Sequence, residues 1–243
     1  MFGRAKRSTC GAVVVAAGSG TRMRLGADKS GTPINKVFLE VGGMPILAHT
    51  LRAFESCRSI DEIVVVTRGC DIPLCKQLAD EFGITKLTNI VCGGATRQES
   101  VRIGLAELSE GCYLAAIHDG ARCLVRPEDI AAAAAAADES GAASLGVLCS
   151  DSLKRVDENG MITEDIDRTL AYRVQTPQVF VREQIIAAHE LAAADGFMAT
   201  DDCGVAQYAG IRVRMVDAAG YNMKITTPDD LELARALLGG EEG

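Results

Sequence analysis

Gly11-Ala12-Val13-Val14-Val15-Ala16-Ala17-Gly18-Ser19-Gly20-Thr21-Arg22-Met23 is the stretch on which the reading of this chain turns. Its first seven residues are apolar and rich in valine, and they run straight into Gly-Ser-Gly. A continuous apolar run, rather than an alternating one, is what a strand covered on both faces needs. Glycines directly after such a strand permit a tight turn and leave backbone N–H groups bare, so that they can surround phosphate oxygens. Arg22 adds a cation at that turn. Arg4, Lys6 and Arg7 upstream imitate the start of a signal peptide. The valine-rich run is short for that purpose and leads into glycines. It reads instead as a first strand over Val13–Ala16, behind a disordered basic tail at residues 1–10.

Outward from this strand, β-prone runs alternate with helical patterns. Strands are expected at Glu62–Thr67, Ile90–Cys92, Tyr113–His118 and Ala142–Cys149. Helices are expected at Pro45–Phe54, with proline in the first turn, and at Leu74–Phe82, Gln98–Leu108 and Glu128–Asp138. This order predicts an α/β domain over residues 11–240, Rossmann-like, with a mostly parallel sheet and right-handed crossovers. The alternation breaks at about 150–171. There Leu153–Val156 and Met161–Thr163 flank Asp157-Glu158-Asn159-Gly160, and Asn-Gly between β-prone runs signals a hairpin. The hairpin is polar and has little of its own to bury. The residues leave open whether it packs on its own domain or on a second copy of the chain. A short strand at Val179–Phe180, helices at Glu183–Ala194 and Asp201–Tyr208, a strand at Arg212–Val216 and a last helix from Pro228 to Leu237 complete the pattern.

The chain has 243 residues, 48% of them hydrophobic, and a net charge of -8. Tryptophan is absent and aromatic residues make up 4%. That balance argues against a nucleic-acid surface, which needs a basic stripe or stacking platforms. No apolar run reaches the length of a membrane span. Nine cysteines are scattered without C-x-x-C or zinc-finger spacing, so they read as small buried hydrophobes of a reducing, cytoplasmic compartment. Cys123 stands apart because it lies within a motif.

Three further motifs follow apolar runs: Gly93-Gly94-Ala95-Thr96-Arg97, His118-Asp119-Gly120-Ala121-Arg122 and Asn222-Met223-Lys224. Asp119 ends a predicted strand, where open α/β sheets bind ligands, and an acid there can hold Mg²⁺ shared with phosphates. Lys36 follows a Gly/Asp/Pro-rich loop and supplies a second cation near the first turn. A dinucleotide fingerprint is the competing reading of Gly18-Ser19-Gly20. It fails because Met23 stands at the third glycine position and Gly31-Thr32-Pro33 interrupts the helix that would follow, although Glu40 falls near the spacing of a ribose-binding acid.

Taken in order, these motifs resemble those of the 2-C-methyl-D-erythritol 4-phosphate cytidylyltransferase family, from about Gly11 to Leu238. Ala16–Met23 is similar to the family's nucleotide loop, Asn35-Lys36-Val37-Phe38-Leu39 to its lysine motif, Gly93–Val101 to its base-recognition segment and His118–Arg122 to its H-D-A-A-R-P. Asp167-Arg168, Gln175-Thr176-Pro177-Gln178, Ala199-Thr200-Asp201-Asp202 and Asn222–Thr226 complete the series. The resemblance implies transfer of CMP from CTP to methylerythritol phosphate, with Mg²⁺ and release of pyrophosphate. It implies that Arg22 and Lys36 stabilise charge on the triphosphate while Arg168 and Lys224 position the sugar phosphate. Asp119, Arg122, Ser152, Thr176 and Thr200 would line the acceptor site, with Asp119 as the metal ligand. Ala16, Ala17, Gly18, Ser19, Gly20, Gly94, Ala95, Arg97, Ser100 and Gly120 would hold the nucleotide. A homodimer whose arm reaches the neighbour's site would bring Ser152 and Arg168 in trans.

The chain departs from that pattern at Asn35 and Cys123, which replace prolines, at Gly120, which replaces an alanine, and at Ala95, where aspartate is common. The loop from Leu25 to Asn35 is also longer than in many members. A ribitol-phosphate-type cytidylyltransferase shares the nucleotide motifs, and a catalytically silent nucleotide-binding regulator could keep the same fold. Retention of both Arg22 and Lys36 favours an enzyme. Its nucleophile is already a phosphate anion, so cations and a metal ion are required rather than a general base.

Overall fold

The valine run forms the middle of the sheet. The computed structural model describes residues 8–18, 23, 34–218 and 221–239. In chain order its strands and helices are β1 (Cys10–Val15), β2 (Glu40–Val41), β3 (Met44–Pro45), α1 (Ile46–Ser56), β4 (Glu62–Thr67), α2 (Ile72–Glu81), β5 (Leu87–Cys92), α3 (Arg97–Ala106) and β6 (Leu114–Asp119). Then come α4 (Pro127–Ser140), β7 (Ala142–Leu148), β8 (Leu153–Val156), β9 (Ile162–Ile166), β10 (Tyr172–Val181), α5 (Arg182–Ala194), α6 (Asp202–Tyr208), β11 (Arg214–Asp217) and α7 (Pro228–Gly239). Seven strands form one sheet in the order β11-β7-β10-β6-β1-β4-β5. All neighbours are parallel except β10, which runs antiparallel to both β6 and β7. The predicted α/β class with a mostly parallel sheet is therefore the observed one.

Alternation along β1 splits the core. Ala12 and Val14 face a cluster with Leu47, Leu51 and Phe54 of α1, Leu78 of α2 and Ile130 of α4. Val13 faces the opposite cluster, with Val101 and Leu105 of α3, Ile185 of α5 and Val205 of α6. Both sheet faces are buried, which is why the strands read as unbroken apolar runs. On the second face α3 lies so close that a Cβ on Gly104 would come 2.4 Å from Val13 Cγ1 and 2.6 Å from Val66 Cγ2. That approach carries the N-terminus of α3 against the ends of β1 and β4.

Several boundaries differ from expectation. β1 starts at Cys10, and the Thr9 hydroxyl donates to the Gly111 carbonyl at 2.5 Å while the Thr9 carbonyl accepts from Tyr113 and Leu114. The tail expected through residue 10 thus ends earlier, and residues 1–7 lie outside the described residues. Pro45 sits in β3 and precedes α1 instead of occupying its first turn; the β2–β3 pair is joined by Gly42 and Gly43, with φ of +56° and +74° that favour glycine. β10 is ten residues long, not the two apolar residues at Val179–Phe180. Pro177, in a cis bond to Thr176, interrupts it, and its pairing with β7 shifts register between Val174 and Gln178. A proline inside a central strand is tolerated at such an irregularity.

β8 and β9 form the expected hairpin arm as a separate two-stranded sheet. The Asp157 carboxylate accepts from the amides of Asn159 and Met161, and Gly160 takes φ of +80°. The arm is less polar than its sequence suggested. Leu153 pairs with Ile166 and Val156 with Ile162, and Val156, Met161, Ile162 and Leu170 are all exposed. Among the described residues no helix is long and apolar enough to cross a membrane.

Candidate active site

The sheet's carboxyl edge between β1 and β6 opens into two cavities. One, of about 410 Å³, is lined by the β1 end (Val15–Gly18), by Asn35–Val37, by Gly94–Arg97 and Ser100 before and on α3, and by Asp119, Lys224 and Thr226. The other, of about 250 Å³, is lined by Arg122, Gln175, Thr176, Gln178, Thr200 and Asp201. Arg97, Asp119 and Lys224 border both. They form the seam of one two-chambered cleft.

Asp119 sits at this seam with cations on several sides. Arg97 Nε lies 3.1 Å from Oδ1, and Lys224 Nζ and Arg122 Nε lie 3.0 and 3.5 Å from Oδ2. Burial alone would raise the Asp119 carboxyl. Arg97, Lys224 and Arg122 outweigh it and hold the group well below the usual carboxylate range, so it is an anion at any working pH. Lys224 arrives from a segment stitched to the β6 end. Ile225 N–H donates to the Ala121 carbonyl, Arg122 Nη1 donates to the Asn222 carbonyl at 2.8 Å, and Asn222 Nδ2 donates to the Thr176 carbonyl at 2.6 Å.

His118 is structural. Asp119 N–H donates to Thr176 Oγ1, and because His118 Nε2 faces a carbonyl that can only accept, the Thr176 hydroxyl donates to His118 Nδ1 at 3.0 Å. The ring proton is then on Nε2, facing the Arg122 carbonyl at 3.3 Å. Burial, the largest influence, pushes His118 down to about 3. The imidazole is neutral, and Thr176 spends its hydroxyl on holding the β6 end.

The turn before α3 is equally committed. Thr96 caps the helix by accepting from Glu99 N–H. Gly94 N–H donates to Ser100 Oγ, which donates to the Thr96 carbonyl, and Ala95 N–H donates to Glu99 Oε2. A Cβ on Gly93 would lie 2.7 Å from Ala17 Cβ and 2.8 Å from Ser100 Oγ, so only glycine lets the two turns meet. The turn keeps its carbonyl oxygens and one lone pair of Ser100 as acceptors.

Lys36 lies in a 3-10 turn at Lys36–Phe38, nearly buried, and its Nζ donates to the Ile225 carbonyl at 2.6 Å. Gly120 does not line either cavity. It is buried beneath the floor, with its N–H donating to the Val15 carbonyl and its carbonyl accepting from Thr50. Ser152 and Arg168 are exposed on the arm, Arg168 donating to the Ser150 carbonyl at 2.7 Å, and neither lines either of the two chambers. Ser19, Gly20 and Arg22 lie outside the described residues, as does most of the loop after Leu25.

A family-wide sequence profile described as "IspD: 2-C-methyl-D-erythritol 4-phosphate cytidylyltransferase" matches residues 10–240. The chain belongs to this family. It is 41% identical over 228 residues to the 2-C-methyl-D-erythritol 4-phosphate cytidylyltransferase of Caldanaerobacter subterraneus subsp. tengcongensis, covering 93% of this chain and 97% of the relative. It is 42% identical over 231 residues to that of Geobacter metallireducens, covering 93% and 96%. Its fold superposes with a TM-score of 0.84, at 28% identity, on the crystal structure of 4-diphosphocytidyl-2C-methyl-D-erythritol synthase from Anaerococcus prevotii, covering 96% of each chain. The chain is accordingly a cytidylyltransferase of the non-mevalonate isoprenoid route, acting on CTP and methylerythritol phosphate.

Against the IspD pattern, the departures have physical explanations. A Cβ on Gly120 would stand 3.2 Å from both Leu47 Cδ1 and the Val15 carbonyl, a tight but adjustable fit, so glycine relieves packing there. Cys123 is buried among Met23, Ile46 and Ile225, and burial pushes its thiol up to about 11. Ala95 contributes backbone. Two residues to which the sequence reading gave no role matter as well. Asp202 Oδ2 takes Arg97 Nη1 at 2.9 Å, and His189 Nε2 lies 3.2 Å from Asp202 Oδ1. Asp202 was hidden inside Thr200-Asp201-Asp202, which reads as a helix start. Asp201 does cap α6, accepting from Gly204 N–H.

Proposed function

We propose that CTP occupies the larger chamber and methylerythritol phosphate the smaller, with the phosphoryl transfer at their seam. The observation that carries this is the sharing of Arg97, Asp119 and Lys224 by both chambers. The backbone of Ala16, Ala17, Gly18, Ser19 and Gly20 and the turn at Gly94–Ser100 hold the nucleotide, while Lys36 and Arg22 take up charge on the triphosphate. Arg122, Thr200 and Lys224 surround the acceptor phosphate, and Thr176 lines the same chamber while its hydroxyl holds the β6 end. That phosphate attacks the α-phosphorus directly, since it is already an anion. Catalysis is therefore positioning plus charge stabilisation.

Mg²⁺ fits this donor set as an ion carried largely by phosphates. Asp119 is an ionised carboxylate at the seam, and among the described residues no group of three or more potential ligands exists to cage a metal. One carboxylate plus substrate phosphates and waters is a common Mg²⁺ arrangement. The ion would neutralise charge between the two phosphate groups.

Ser152 and Arg168 reach a site only if an arm crosses to a partner, so the working enzyme is a homodimer joined through its arms. The exposed Leu170 and Met161 supply apolar surface for that contact. A cytoplasmic setting suits a chain whose nine cysteines are all free, two of them exposed.

The test is a pyrophosphate-release assay pairing CTP, ATP, GTP and UTP with methylerythritol and ribitol phosphates, repeated on variants. CTP with methylerythritol phosphate should turn over fastest, and faster turnover with ribitol phosphate overturns the acceptor assignment. Lys36→Ala should lower turnover by about 10²–10³-fold, the cost of one oxyanion-type donor, with a much smaller change in CTP affinity. Equal losses in both would contradict its role in the transition state. Mixing Arg168→Ala protomers with Lys36→Ala protomers should restore activity if arms act in trans.

A further inference from the structure

Asn35 stands where the family resemblance leads one to expect proline. We propose that Asn35 is a positioning residue that fixes the Lys36 turn against the end of β1 through an Arg68–Asp71–Asn35–Ala16 relay. The proposal rests on the reading of Lys36 as a cation for the triphosphate.

Asn35 is buried, at 2% exposure. Its Nδ2 donates both to the Ala16 carbonyl and to Asp71 Oδ2, each at 2.9 Å. An amide nitrogen has two protons, and both are used. Its Oδ1 faces the Val37 N–H at 3.4 Å, at the start of the 3-10 turn. Asp71 is fixed in turn by a fork from Arg68, with Nε at 2.6 Å and Nη2 at 2.9 Å. Burial would raise the Asp71 carboxyl, but the bonds from Arg68 and Asn35 outweigh it and lower it, so the relay keeps its anion. Ala16 is tied on its other side, its N–H donating to the Val66 carbonyl at 2.7 Å.

One carboxamide thereby joins three separate segments: the β1 end that borders the larger chamber, the turn after β4 that holds Asp71, and the turn that begins with Lys36. Lys36 is the next residue, so a shift of Asn35 moves the ammonium directly. The geometry also yields a clean probe. Asn35 has φ of -83° and ψ of 123°, close to the backbone range of proline. Asn35→Pro therefore keeps the local path and deletes the relay.

The experiment measures kcat and KM for both substrates in Asn35→Ala, Asn35→Asp, Asn35→Pro, Lys36→Ala and the Asn35→Ala/Lys36→Ala pair. Asn35→Ala should lower kcat by about 10–100-fold, the scale of an ångström-sized misplacement, with little change in acceptor KM. Asn35→Asp should be at least as damaging, because it sets an acceptor against a carbonyl and a carboxylate. In the Lys36→Ala background, Asn35→Ala should cost less than about threefold, since residues acting as one unit are not additive. Wild-type kcat in Asn35→Ala overturns the inference, as does an equal loss in both backgrounds, which is the mark of a merely structural residue. Should Asn35→Ala not fold, as judged by its urea transition, Asn35→Ser replaces it, and the same comparison decides. Undiminished turnover in Lys36→Ala would instead refute the role of the lysine itself.

Discussion

Arg97 bridges two carboxylates, and this makes its removal testable by a sign as well as a size. Its guanidinium lies 3.1 Å from Asp119 and 2.9 Å from Asp202, with Asp202 1% exposed and Arg97 27% exposed. Removing one partner of a buried pair costs about 3–5 kcal/mol, because the other charge stays buried and unmatched. Water reaches the Arg97 side, so Arg97→Ala should cost somewhat less, about 2–3 kcal/mol. Asn in place of Asp202 keeps the shape and an acceptor, and leaves Arg97 paired with Asp119; about 1–2 kcal/mol is the expected loss for a charged hydrogen bond made neutral. Independent effects would sum to roughly 3–5 kcal/mol in the double variant. The structure requires less. Once Asp202 is neutral, Arg97→Ala no longer strands an anion, so the double variant should stay near the Arg97→Ala value. Urea unfolding of the four proteins, with unchanged m-values, measures the cycle. Additivity within about 0.3–0.5 kcal/mol would show that the Arg97–Asp202 pair is not coupled, and would refute this account of the seam.

Leu170→Ser should shift the protein toward monomer in sedimentation and lower activity, with its far-UV spectrum unchanged, because Leu170 is 82% exposed at the base of the arm; an unshifted dimer would place the contact elsewhere. Asp71 has a carboxyl depressed below its ordinary value, so its contribution is present above about pH 3.8 and fades as pH falls through the folded-state value. The stability gap between wild type and Asp71→Asn, read from urea midpoints, should therefore narrow as the pH drops below about 4.

What could be read in the residues was whatever a local rule governs. β1, β4, β6 and β7 were legible because burial on both faces demands unbroken apolar runs. β10 was not, because Pro177 and the polar Gln175, Thr176 and Gln178 break its run. Those residues serve the cleft: Gln178 accepts from the amides of Asp202 and Cys203 and donates to Asp201, while Thr176 supports the β6 end. The arm announced itself by Asn159-Gly160, yet its exposed apolar pairs became visible only with the register. The motifs named most of the residues of the cleft. Their meeting was not legible, since Arg97 opens a helix, Asp119 ends a strand and Lys224 follows a third segment far along the chain. Asp202 escaped because two adjacent aspartates do different work, one capping α6 and one holding Arg97.

The arrangement also explains why, among the described residues, the cleft offers no histidine free to abstract a proton. His118, the residue before Asp119, is buried and neutral, and both its nitrogens are engaged by Thr176 and the Arg122 carbonyl. The difficulty of the reaction lies in bringing two anions together. In a chain of net charge -8, diffuse positive charge is not available for that purpose. The seam instead concentrates Arg97, Arg122 and Lys224 around Asp119. That carboxylate holds the cations in place before phosphate arrives, which keeps three like charges from repelling one another in the empty cleft. On the proposed placement of the substrates, a phosphate enters a field already oriented, so little reorganisation remains for the transition state, where such preorganisation has its largest effect. Replacing Asp119 by Asn should on this reasoning loosen all three cations at once, and so weaken the acceptor site as well as any metal held there.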